Sequence, residues 1–228
     1  MQGDYYQLPT GKVAALDDAT PFPPLRDALT EPNGLIAIGG DLSSERLLSA
    51  YRSGIFPWFS EGEPVLWWSP SPRMVLFPQD FKVSKSLAKR LKKNDFEVRF
   101  NTHFRQVMEA CAETNRPDQD GTWITSEIID AYCELHQRGF AYSAETWINN
   151  TLVGGLYGVL INHMFFGESM FHNVTDASKI AFAHMVQFLK DKGVGMIDCQ
   201  MNTRHLASLG AQEIDRTAFM IHLKRLIA

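Results

Sequence analysis

The chain changes period at Phe140, and no other feature limits its fold as much. FAYSAETWI, TLVGGLYGVLI and MFFGESMF, within residues 140–171, read as three strands in succession. Asn162-His163 joins the last two and suits a tight hairpin. DASKIAFAHMVQFLKDKG then has helical spacing, with a cap near Asp176 and a stop at Gly193, and VGMIDCQ is a further strand. A strand, hairpin, helix, strand order requires at least one crossover, so the fold class is α/β (α+β) with a mixed sheet.

The first part of the chain has a different texture. Residues 20–72 are rich in Pro, Gly and Trp and read as short helices between turns. EPNGL, residues 31–35, is the clearest turn: Pro32 suits its first central position, and Asn33-Gly34 accept positive φ. LIAIGG follows as a short buried strand. Ser43 or Ser44 then caps a helix with Leu47, Leu48 and Tyr51 at helical spacing and Gly54 as its stop. This predicts a small N-terminal domain over residues 1–72 and a larger domain over 73–228, opened by SPSPRMVLFP as linker turning into strand.

Three helices are expected before the strands. A basic one covers residues 84–93. NTHFRQVMEACAET is amphipathic, with Phe104, Val107, Met108 and Cys111 on one face. After a polar loop, GTWITSEIIDAYCELHQRG has its N-cap at Thr125 or Ser126 and buries Ile128, Ile129, Tyr132 and Leu135.

Composition narrows the class. A chain of 228 residues, 45% hydrophobic and 21% charged, has material for a sizeable core and is not disordered. MQGDYYQLPTGK lacks the basic and apolar regions of a signal peptide, and LVGGLYGVLINHMFF is too short and interrupted to span a bilayer. Three widely spaced cysteines make neither a disulfide framework nor a zinc pattern, so a reducing cytoplasm is the expected location. The net charge of −4 argues against a generally basic nucleic-acid binder. Against that background, KVSKSLAKRLKKN gathers Lys82, Lys85, Lys89, Arg90, Lys92 and Lys93 without an acid.

Four features carry candidate chemistry. In IDCQ, Asp198 and Gln200 share one strand face and Cys199 the other, at the C-terminal end of a strand where sites in α/β proteins form. They meet a substrate there, or Asp198 caps the next segment and Gln200 satisfies loose backbone groups; both readings are open. Glu168, among Phe165, Phe166, Met170 and Phe171, either faces outward on an edge strand or must find a cation or keep its proton. If the two strands are neighbours, Glu168 and Asp198 converge on one cationic group, such as an amine. The aromatics of FPWF and LWWSP, with Tyr51, form the small domain's core, or with the basic helix they make a platform for a single-stranded RNA end.

Other chemistries find less support. Cys199 with His205 suggests a thiol nucleophile, but a buried free Cys on the opposite face from Asp198 packs as a small hydrophobe. His163, His172, His184 and His205 lack metal-ligand spacing, so no metal is expected. KDKGVG ends a helix instead of opening one, so it offers a coenzyme A pyrophosphate no helix N-terminus.

EPNGLIAIGGDLS, AYRSGIFPWF, LWWSPSPR, GTWIT, LVGGLYGV, FFGESMF, ASK and IDCQ, in this order, resemble the leucyl/phenylalanyl-tRNA–protein transferases of the bacterial N-degron pathway. The likeness runs from about Phe22 to Phe219. It implies a small N-terminal domain and a C-terminal acetyltransferase-like (GNAT-like) domain. It also implies transfer of Leu or Phe, and Met less well, from tRNA to the α-amino group of proteins beginning with Arg or Lys, with no cofactor. By motif, the resemblance makes Asp198 and Gln200 the catalytic pair and puts Glu168 in the acceptor and aminoacyl site. Tyr51, Trp58, Trp123 and Tyr132 would contact the 3′-terminal adenosine or close the cleft. Leu156, Phe165, Met170, Phe182 and Met185 would form the pocket for the transferred side chain. The basic helix would take the tRNA backbone. Two alternatives are an acyl-coenzyme A transferase of the same fold and a non-catalytic peptide or RNA adaptor.

Overall fold

The computed structural model describes residues 4–93, 95–114 and 122–228. Gly121 of GTWIT, the polar loop before it and Asn94 lie outside the described residues, as do Met1, Gln2 and Gly3. The N-terminal part contributes β1 (Tyr5–Leu8), β2 (Gly11–Leu16), β3 (Leu35–Gly39), α1 (Ser44–Arg52), β4 (Phe56–Pro57) and β5 (Leu66–Trp68). Among the described residues its sheet has five strands in the order β1-β2-β3-β5-β4. Ser43 caps α1 by accepting from the Arg46 N–H.

The larger part contains β6 (Arg73–Leu76), α2 (Lys85–Leu91), β7 (Glu97–Phe100), α3 (Phe104–Ala112) and α4 (Ser126–Gln137). Then come β8 (Ala141–Ile148), β9 (Thr151–Ile161), β10 (Met164–His172), α5 (Ala177–Asp191), β11 (Met196–Gln200), α6 (Arg204–Ser208), β12 (Gln212–Ile214) and α7 (Arg216–Ile227). Seven strands form its sheet, again among the described residues, in the order β12-β6-β11-β10-β9-β8-β7. The crossover through α5 makes β10 and β11 parallel, and the other pairings in this sheet are antiparallel. The sheet is mixed, as the order of elements required.

Local chemistry explains the hairpins and caps. Asn162 has φ +49° in the β9–β10 turn, and Asn149 and Asn150 have φ +49° and +59° in the β8–β9 turn, a conformation Asn tolerates better than most residues. Thr125 caps α4 by accepting from the Ile128 N–H. Asp176 differs from the expectation: it sits in the left-handed region without capping α5 and pairs instead with Lys179 at 2.8 Å.

Side-chain alternation divides the core between the two faces of the large sheet. Tyr157, Met164, Phe166 and Met196 pack with α1, α3 and α4, while Leu156, Phe165 and Ile197 pack with α5. The first cluster runs without a break into the small sheet through Tyr51, Phe56 and Trp67, so one apolar core serves both parts. Among the described residues, no helix is long and apolar enough to cross a membrane.

Candidate active site

The parallel pair β10 and β11 stays in register only from Met164 opposite Met196 to Phe166 opposite Asp198. Beyond that point each strand slips against its other neighbour: β10 between Gly167 and Ser169, β11 between Asp198 and Gln200. One extra residue at each slip disrupts the ladder and bends the strand, so the sheet opens where the two bulges meet. Glu168 is the extra residue in β10 and Cys199 the extra residue in β11. This opening lies at the C-terminal ends of two parallel strands, a position that open α/β sheets use for ligands.

Cys199 faces the cluster around α5, as alternation predicts, and Asp198 faces the other side. The strands are neighbours, and Glu168 and Asp198 come together, but their two charges are settled differently. Asp198 is fully buried and takes a two-pronged bond from Arg73, Nε to Oδ1 at 2.8 Å and Nη2 to Oδ2 at 2.7 Å. A fork of this kind is among the stronger ion-pair geometries. The Arg73 guanidinium also donates to the Gly54 carbonyl at 3.3 Å and lies 4.7 Å from the ring centres of both Phe56 and Phe219. Asp198 Oδ1 further accepts the Gln200 backbone N–H at 2.9 Å.

Glu168 makes no ion pair among the described residues. Tyr51 Oη lies 2.8 Å from its Oε1 and Tyr132 Oη 3.3 Å from its Oε2, and the Gln200 amide nitrogen donates to Oε1 at 3.2 Å. The Tyr51 and Tyr132 hydroxyls also bond to each other, so the triangle of three contacts takes two hydroxyl protons and the one that Glu168 carries when neutral. Burial pushes the Glu168 carboxyl up to about 8, with the Asp198 charge adding to the shift and the tyrosine bonds opposing it. The tyrosine hydroxyls are themselves held well above their usual range, by burial first and then by Glu168, so they remain donors.

The sign of the Glu168 shift gives an expected result. Below about pH 4.5 both folded and unfolded chains carry the proton; between 4.5 and about 8 only the folded chain retains it. Stability contributed by this group is therefore lost as pH rises through that window, and levels off above it. In thermal unfolding from about pH 5 to pH 8.5, the wild-type Tm is expected to fall relative to that of Glu168→Gln. Parallel curves would mean that Glu168 titrates near its ordinary value.

The remaining predicted residues fall into separate groups. Tyr51 and Tyr132 are fully buried beneath Glu168, and Trp123 is buried in the same cluster. Trp58 is 42% exposed and meets Trp68 edge-on at 5.8 Å. Leu156, Phe165, Phe182 and Met185 are buried in one cluster on the α5 face, with half-buried Met170 against it. The bulge at Glu168 sends Met170 to that face while Glu168 stays on the tyrosine side. The polar group and the apolar one therefore lie on opposite faces of the sheet at the same split between β10 and β11. Lys82, Lys85, Lys89, Lys92 and Lys93 are exposed on and around α2. Arg90 differs from them, since it pairs with Asp95 and stacks 5.1 Å from the Phe96 ring centre.

Burial pushes the Cys199 thiol far above its usual range, which removes it as a nucleophile at neutral pH. The His205 imidazole is pushed down by burial, with Lys179 and His172 adding to the shift.

The residue missed from sequence is Arg73. It is 1% exposed and opens the apolar run RMVLF, which read as the start of a strand. The available signal was indirect: an acid in an apolar strand such as MIDC needs a cation, and an arginine heading an apolar strand needs an acid.

The model of the leucyl/phenylalanyl-tRNA protein transferase family matches residues 75–224, and the model of that family's N-terminal domain matches residues 40–71. A chain so matched is an aminoacyltransferase. A relative from Chromobacterium violaceum, named leucyl/phenylalanyl-tRNA–protein transferase, is 62% identical over 203 residues, 89% of this chain and 87% of its own. One of the same name from Nitrosomonas europaea is 60% identical over 216 residues, 95% of this chain and 91% of its own. The chain belongs to the leucyl/phenylalanyl-tRNA–protein transferase family. Among solved structures, a GCN5-related N-acetyltransferase from Kribbella flavida aligns over 89% of this chain and 77% of its own. Its identity of 9% and TM-score of 0.41 are too low to bear on the fold.

Proposed function

We propose that this chain moves Leu or Phe, and Met less well, from tRNA to the α-amino group of proteins that begin with Arg or Lys. The new peptide bond marks those proteins for degradation. The observation that carries this reading is the setting of Gln200. Its amide nitrogen is engaged by Glu168, which leaves its carbonyl oxygen without a hydrogen-bond donor among the described residues, at the edge of the split. An incoming amine supplies that donor.

Aminolysis of an aminoacyl ester is downhill, so positioning matters more than a strong base. An α-amino group titrates near pH ~7.7 to 8.0, so a useful fraction is neutral in the cytoplasm. Gln200 accepts a hydrogen bond from the neutral amine and aims its lone pair at the ester carbonyl. The C–N bond forms, the C–O bond to the ribose breaks, and the proton leaving the nitrogen ends on the ribose oxygen. Asp198, with Arg73 as its counter-ion, orients Gln200.

The preference for Arg or Lys follows from Glu168. A cation entering the split favours its ionised form and gains a partner that neutral side chains do not. Leu156, Phe165, Met170, Phe182 and Met185 receive the transferred side chain, which reaches them through the split. Trp58 offers a face for the terminal adenine, with Trp123, Tyr51 and Tyr132 packed behind the cleft. The division into a small unit over 1–72 and an acetyltransferase-like catalytic unit over 73–228 belongs to the same reading. Support for it comes from the change of sheet after Trp68 and from the parallel pair β10 and β11, which opens at its C-terminal end.

The deciding experiment is transfer of labelled Leu from charged tRNA to a peptide beginning with Arg, beside the same peptide beginning with Ala. Transfer to the Arg peptide alone is expected. Transfer to both removes the role given to Glu168, and transfer to neither removes the proposed reaction. The basic helix has its own test. Lys85→Ala with Lys89→Ala is expected to weaken binding of charged tRNA and to lower the slope of log affinity against log salt by about 2, one for each lysine. An unchanged slope would move the tRNA backbone off α2.

A further inference from the structure

We propose that Arg73 is a positioning residue for this transfer: it locks Asp198, and Asp198 in turn sets the backbone from which the Gln200 amide reaches the attacking amine. The inference rests on the reaction proposed above and gives a role to the last residue of the LWWSPSPR motif.

Gln200 has φ +61°, a left-handed conformation that an ordinary side chain adopts only when its surroundings impose it. Two bonds impose it here. The Gln200 N–H donates to Asp198 Oδ1 at 2.9 Å, and the Met201 N–H donates to the Cys199 carbonyl at 2.7 Å, closing a tight turn around Gln200. The Asp198 oxygen that receives the Gln200 N–H is the one that receives Arg73 Nε at 2.8 Å. Rotation of the carboxylate would break both bonds at once, and the second prong at 2.7 Å opposes it.

The guanidinium is itself immobilised, by the Gly54 carbonyl and by the rings of Phe56 and Phe219. Gly54 and Phe56 lie just after Tyr51, whose hydroxyl holds Glu168. The segment from Tyr51 to Phe56 therefore anchors Gln200 twice: Tyr51 acts through Glu168 on the side chain, and Gly54 and Phe56 act through Arg73 and Asp198 on the backbone. At 1% exposure Arg73 has no surface to offer a substrate, so it acts through Asp198 and not on the reacting atoms.

Arg73→Lys separates charge from geometry, because an ammonium neutralises Asp198 but cannot hold both carboxylate oxygens in one plane. The variant is expected to melt cooperatively and to keep KM for charged tRNA and for the Arg peptide within about twofold. Its kcat is expected to fall about 100-fold, the scale of a small misplacement in an active site. Combined with Asp198→Asn, the two losses should not multiply, since both act on one contact. A kcat within about threefold of wild type, a change confined to KM, or losses that multiply would each overturn the proposal. If Arg73→Lys does not fold, Phe219→Leu takes its place. That variant removes one ring from the guanidinium and is expected to lower kcat about fivefold with KM unchanged; an unchanged kcat overturns the proposal. A wild type inactive on every peptide would count against the transfer reaction instead.

Discussion

Gln200→Ala is expected to lower kcat for transfer by about 10² to 10³ while leaving the fold intact, the usual cost of deleting one aligned hydrogen-bonding group at the reacting centre. The Gln200 side chain is half-buried, and its one bond among the described residues, to Glu168 at 3.2 Å, is long and contributes little to stability. The backbone bonds that shape the turn, to Asp198 and across it from Met201 to Cys199, survive the substitution. Activity and stability should therefore part company in this variant. The measurement is steady-state transfer to the Arg peptide beside a thermal melt. A variant keeping more than about a third of the wild-type kcat would take the amide out of the mechanism. Gln200→Glu is the informative companion: it restores an acceptor oxygen but sets a second carboxyl beside Glu168, so a partial return of rate is expected only where the new carboxylate is ionised.

Asp198→Ala is expected to act in the opposite way, through the fold first. It removes both oxygens from Arg73 and leaves a guanidinium that is 1% exposed without its counter-ion. Breaking a buried pair from one side costs about 3–5 kcal/mol, because the remaining charge stays desolvated. In a chain of this length that corresponds to a fall in Tm on the order of 10 °C. Lost turnover in Asp198→Ala would then report a shifted turn and a weakened core together, and would not identify Asp198 as a base. Urea denaturation measures the cost directly. A midpoint unchanged from wild type would show that Arg73 finds another partner when Asp198 is gone, and would weaken the case for a locked pair.

Much of the architecture was legible along the chain for local reasons. The three strands after Phe140, the Asn162-His163 turn, the Ser43 and Thr125 caps and the apolar faces of α3 and α4 each depend on residues a few positions apart. The convergence of Glu168 with Asp198 was legible only conditionally, since it required β10 and β11 to be neighbours. The crossover through α5 makes them so. The charge state of the cleft was not legible. Two carboxylates suggested an acidic site, but one is neutralised by Arg73 from another strand and the other is pushed up to about 8 among tyrosines.

Residues 20–72, read as short helices between turns, fold instead, among the described residues, with β1 and β2 into a five-stranded sheet carrying one α-helix. The sequence by itself determined α1, the elements from α3 to β11, their order and the identities of the polar groups at the ends of β10 and β11. Those follow from backbone preference and side-chain spacing, which act over one or two turns of chain. Only the tertiary structure decided which carboxylate meets a cation, that two bulges coincide and split the sheet, and that the Tyr51 to Phe56 segment anchors Gln200 from both ends. Arg73 and Asp198 are 125 positions apart, and Tyr51 and Glu168 are 117 apart. No local rule spans such distances; burial in a shared core does, because a charge removed from water is stable only where the packed chain brings its partner.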